Sequence, residues 1–144
     1  MDELRLFFDG TDVGVGGLDL DAFYVVDVDT ILMSFRTSAP IGSLGTVADS
    51  DIVRFDASSL GATTAGSFSM YFDGLDVGLD TSGEDIDAIE LLSDGWLVIS
   101  TRGSFSVSGV KGADEDLRDL WVPLYNLLLI QESESKQDQP KLTE

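Results

Sequence analysis

A block of ten residues near the start of this chain returns 64 positions later, and that duplication constrains the fold more than any other feature. Residues 6–15 carry Phe8-Asp9-Gly10, Asp12-Val13-Gly14 and Val15; residues 70–79 carry Phe72-Asp73-Gly74, Asp76-Val77-Gly78 and Leu79. Downstream, Asp19, Asp21 and Ala22 match Asp85, Asp87 and Ala88 at an offset of 66. Ala48, Asp49 and Asp51 match Ala113, Asp114 and Asp116 at an offset of 65. Offsets that drift by one or two residues are what small loop insertions produce in a duplicated unit. The chain therefore reads as one all-β domain over residues 1–130, made of two copies at about 4–66 and 67–121.

Each copy has the grammar of short strands. Residues 23–26 and 86–92 are apolar-rich, and residues 31–35 and 96–100 are continuous β-prone runs suited to strands buried on both faces. Ser93-Asp94-Gly95 between two such runs predicts a tight hairpin. A third strand is expected at 51–56 and 116–121, and a fourth at 67–72 with Phe68, Met70 and Phe72 sharing one face. The cluster at 58–67 separates two of these strands, and only residues 114–130 hint at a helix.

Four strands per copy joined by hairpin turns describe a β-propeller blade. The Asp-Gly-x-Asp-Val-Gly, Asp-x-Asp-Ala and Ala-Asp-x-Asp elements resemble those of acidic bacterial β-propeller-like repeat proteins of unassigned function, over about residues 4–121. The unit is longer than the usual WD40 or kelch period and carries neither signature. The resemblance implies an architecture and no activity.

Two four-stranded blades cannot close a ring, because propellers use about 4–8. Self-association into a homo-oligomeric ring of three or four chains is one expected remedy. On that reading residues 3–8 form a lone fourth strand that completes the unfinished blade of a neighbouring chain, a heterologous contact. The alternative is a pseudo-twofold β-sandwich or barrel in which the two copies pack face to face. Residues 122–130 form an apolar extension without a counterpart in the first copy, and the polar, charged residues 131–144 read as a disordered tail.

Charge and missing residue types exclude several functions. With 27 acidic against 8 basic residues the net charge is −19, a field that repels nucleic acid, anionic membranes and phosphorylated substrates and favours cations, basic proteins or neutral ligands. The absence of Cys and His removes disulfides, thiolate chemistry, Ser-His-Asp triads and imidazole-bound zinc. The acidic start has no signal-peptide pattern, and the apolar run at 124–130 falls well short of the roughly 20 residues a membrane helix needs, so the sequence as given reads as cytoplasmic.

The Asp-x-Asp pairs are the candidate site chemistry: Asp19/Asp21, Asp49/Asp51, Asp85/Asp87 and Asp114/Asp116. Residues i and i+2 of a strand point to one face, so each pair sets two carboxylates side by side, hard oxygen ligands of the kind Ca²⁺ takes. The competing role is turn capping by acceptance of backbone N–H bonds, and no EF-hand pattern is present. Arg36 and Arg102 match at an offset of 66 and are expected to pair with these carboxylates. The function expected is a binding or interaction module without a readable catalytic site. Alternatives are a lectin-like role using Trp96 or Trp121 as a stacking platform, or a carboxylate-based hydrolase, neither marked by a residue that breaks the repeat.

Overall fold

A computed structural model describes residues 2–107, 109–113 and 117–121. It is mostly β, in several small antiparallel sheets of which none closes. The larger sheet is a meander in the order β1-β2-β5-β6, with β1 Leu20–Asp27, β2 Thr30–Phe35, β5 Ile52–Ser59 and β6 Ala65–Phe72. A small hairpin, β3 Ala39–Pro40 with β4 Thr46–Val47, interrupts it between β2 and β5. In the second half β7 Ile86–Leu91, β8 Trp96–Thr101 and β11 Leu117–Trp121 form a three-stranded sheet. There too a hairpin intervenes, β9 Phe105–Val107 with β10 Val110–Gly112. The expected extension at 122–130, the tail at 131–144, Asp114, Asp116 and the Trp121 side chain lie outside the described residues; within 114–130, residues 117–121 form a strand rather than a helix.

Local geometry in the two halves matches residue for residue. Asp9 caps a 3₁₀ turn at Gly10–Val13 by accepting from Thr11 N–H at 3.0 Å, and Asp73 does the same for Gly74–Val77 from Leu75 N–H at 3.0 Å. Each turn ends on a glycine in the left-handed region, Gly14 at φ 87° and Gly78 at φ 89°, where a Cβ would be strained. Phe23 stands opposite Met33 as Ile89 does opposite Ile99; Val25 opposes Ile31 as Leu91 opposes Leu97. Both ladders slip at a matching place, between Leu20 and Ala22 and between Ile86 and Ala88, and the first slips again between Val25 and Asp27. Beside the matching slip, Arg36 N–H donates to Asp19 O at 2.9 Å and Arg102 N–H to Asp85 O at 2.8 Å.

Two cores result. Ala22, Leu32, Ile52 and Phe72 on one face of the larger sheet pack against Ile86, Ile89, Leu97 and Ile99, with Leu79, Phe105 and Val107. The opposite face of the larger sheet carries Ile31, Met33, Phe35, Val53 and Phe55 beneath Val15, Ile41 and Val47. Phe8 closes that second core edge-on to Phe55, ring centroids 5.2 Å apart. All six residues of β2 are therefore buried, as its unbroken apolar run predicts. In β8 the face toward the first half is buried throughout; on the other face Trp96 is buried and Val98 and Ser100 are half-exposed.

Three expectations need correction. Residues 3–8 form no strand: they lie along the loop at residues 60–62, with Phe7 O accepting from Gly61 N–H at 2.9 Å. Their counterpart in the repeat, β6, holds the edge of β5 in this chain. Phe72 does not share a face with Phe68, because a bulge opposite Ile52 and Val53 turns it into the other core. Finally, the surfaces that meet between the halves are opposite faces of the repeated unit. Ile31 and Met33, the counterparts of Leu97 and Ile99, sit in the other core. A pseudo-twofold sandwich would join like faces, so the halves are stacked in the same sense rather than face to face.

Candidate functional site

The duplicated aspartates do not form one kind of site; the junction between the halves sorts them into different jobs. Asp51 is 5% exposed, its Oδ2 accepting from Ala48 N–H at 2.7 Å and its Oδ1 from Gly74 N–H at 2.9 Å. This carboxylate ties its own loop to the turn that opens the second half, a capping role. Burial, ahead of its neighbours' charges, raises its pKa despite those bonds. Asp19 is exposed, and Asp87 is exposed and accepts from the Ser100 hydroxyl at 2.6 Å.

Asp21, Asp49 and Asp85 are brought together from three separate segments. Asp49 O accepts from Ile86 N–H at 3.1 Å, which places that loop beside the start of β7. Asp85 is 2% exposed, and its Oδ1 and the Oδ2 of Asp21 are both buried without a hydrogen-bond donor. Two carboxylate oxygens facing each other satisfy one another only when one of them carries a proton. Burial, then the bond to Asp21, then the charges of Asp21 and Asp49 push the Asp85 carboxyl up to about 7. The Arg102 guanidinium acts against this from 3.6 Å but is half-exposed, so solvent screens it. Asp85 thus keeps its proton far above the usual carboxylate range, up to about neutral pH. Asp49 is raised as well, first by burial and then by the Asp21 charge.

An acidic cleft of about 400 Å³ opens beside this junction, with Asp49, Asp51, Asp73 and Asp80 on its walls. Among the described residues no group of three or more Asp or Glu is placed to hold a metal ion. Arg102 pairs with Asp85 as its position in the repeat predicts, whereas Arg36 forms no ion pair among the described residues. Asp19, the counterpart of Asp85, has no second unit over it and remains in water. Trp96 is 5% exposed and packed, so its indole is not free to stack on a sugar ring. No helix among the described residues is long and apolar enough to cross a membrane.

One buried carboxylate escapes repeat-based reading. Glu84 is 2% exposed and takes three backbone N–H donors: Asp80 at 2.9 Å, Thr81 at 3.0 Å and Ser106 at 2.8 Å. Burial raises its pKa, but these bonds outweigh it and the net shift is downward. Thr81-Ser82-Gly83-Glu84 is a capping box, a signal visible in the sequence. Its first-half counterpart is Leu18, so a search confined to repeated residues passes over it. Glu84→Ala is expected to cost about 2–4 kcal/mol by stranding those donors, seen as a melting temperature lower by about 10 °C. Glu84→Gln, which keeps an acceptor, should lose clearly less in the same thermal scan. Comparison with protein-family models, with curated proteins and with solved structures gave no match for this chain.

Proposed function

We propose that this protein is an interaction module that works as an assembly of its own copies, its two halves acting as successive units of a propeller-like array. The observation that carries this reading is the shared register of the two halves, down to the position of the ladder slip, in sheets that remain open. A unit that stacks on its own copy inside one chain has the surfaces to stack on a copy in another. Open sheets are a liability that natural proteins cover, and propellers do so by closing with about 4–8 blades. Three chains supply six units and four supply eight. The strongly acidic surface suits such a module to neutral or cationic partners.

Native mass spectrometry and light scattering test the reading directly. Three or four times the chain mass of 15.5 kDa is the expected result. A single-chain mass across the whole soluble concentration range would end it.

A further inference from the structure

The two halves present the same positions in opposite states of cover. Ile86 and Ile89 of the second half are 0% and 7% exposed, because the first half's sheet lies over them. Their counterparts 66 residues earlier, Leu20 and Phe23, are 45% and 58% exposed. They border an apolar trough of about 230 Å³ with Ile31, Met33, Phe7 and Phe8. The reverse holds on the other face of the unit. Ala22, Leu32 and Ile52 are 5%, 1% and 0% exposed under the second half, whereas Ala88 is exposed, Val98 half-exposed and Leu117 65% exposed. Each half thus leaves part of one face uncovered: Leu20 and Phe23 at the border of the covered Ile31 and Met33, and Ala88, Val98 and Leu117 beside the buried Trp96. Their fit is already displayed once, at the junction between the halves.

From this we infer that the Leu20/Phe23 face of one chain seats the Ala88/Val98/Leu117 face of a second copy, in the geometry by which the first half of the chain covers the second. The inference rests on the self-association reading and specifies its surfaces. The contact is head-to-tail: each chain uses one face as donor and the other as acceptor, so dimers are not self-limiting and growth continues until a ring closes. A large apolar side chain at the centre of such a contact carries much of its energy, and a charge there is left unpaired on burial.

The single variants Phe23→Asp and Ala88→Glu test it, both at positions exposed in the lone chain, so that folding is not at stake. Circular dichroism and thermal melting confirm that the fold is kept. Each variant alone is expected to run as a 15.5 kDa monomer, association weakened on the order of 100-fold. Mixed in equal amounts they retain one good face each and are expected to form a dimer and nothing larger. Oligomers that survive Phe23→Asp, or a mixture that stays monomeric while Ala88→Glu alone still assembles, would overturn the head-to-tail seating and leave self-association standing. A wild-type chain that is monomeric throughout would overturn both. In that case, a lower melting temperature for Phe23→Asp would show that the trough is covered by the chain's own remaining residues.

Discussion

Raising the pH from about 4 to about 7 is expected to weaken this fold, the loss spread evenly between those values and amounting to at most about 4 kcal/mol. The Asp85 carboxyl titrates about 7 in the folded chain against 3.8 for a free side chain. Between those values the folded state holds a proton that the unfolded state has released. Stability is therefore full below the lower value, falls as pH climbs through the interval, and levels off above about 7. The raised carboxyls of Asp49 and Asp51 act in the same direction. Glu84 acts oppositely and only in acid, where protonating it forfeits its three N–H bonds.

Asp85→Asn isolates the pair. An amide there donates to Asp21 without a bound proton, so the slope between about pH 4 and 7 should flatten and the variant should exceed the natural chain in stability above about pH 8. Urea unfolding at a series of pH values measures both. An unchanged slope would mean that Asp85 is not the group that holds the proton, and that the orphaned oxygens find donors in water.

The second large effect separates two glycines that the repeat makes equivalent. At Gly74 an added Cβ would meet the backbone oxygen of Ser50, with the Ser50 hydroxyl at 2.6 Å and its Cβ at 2.8 Å. Backbone cannot swing aside as a side-chain tip can, so Gly74→Ala must separate the turn from the Asp51 loop and stretch the bond from Gly74 N–H. At Gly10 the tightest neighbour is a methyl of Val15 at 3.1 Å, a side-chain end that can give. Gly74→Ala is expected to cost about 2–3 kcal/mol and Gly10→Ala under about 1 kcal/mol. Chemical denaturation of the two variants side by side reads the difference. Equal costs would mean that the junction beside Ser50 is looser than the packing implies.

Much of the architecture can be read from the chain because it depends on local signals. The apolar runs that become β2 and β8, the Ser93-Asp94-Gly95 turn and the capping aspartates Asp9 and Asp73 each specify their geometry within a few residues. The hairpins β3–β4 and β9–β10 escape notice because their strands are only two or three residues long, below the span over which alternation shows. The bulge that turns Phe72 away from Phe68 is likewise silent, since the extra residue, Tyr71, shows only in the pairing of β6 with β5.

The candidate site was legible as a set of residue types but not as a set of partners. Sequence spacing pairs Asp19 with Asp21 and Asp85 with Asp87, neighbours along a strand. The fold instead pairs Asp21 with Asp85 across the junction, adds Asp49 from a loop, and leaves Asp19 and Asp87 in water. What the sequence by itself determined is the unit: its strands, its capped turns and its duplication, all carried by interactions within a few residues or within one ladder. Which copy of each duplicated residue is buried, protonated or crowded was decided only in three dimensions. Two similar halves packed front to back bury opposite faces at their junction and leave different positions exposed at the outer faces, so matching residues meet unequal surroundings.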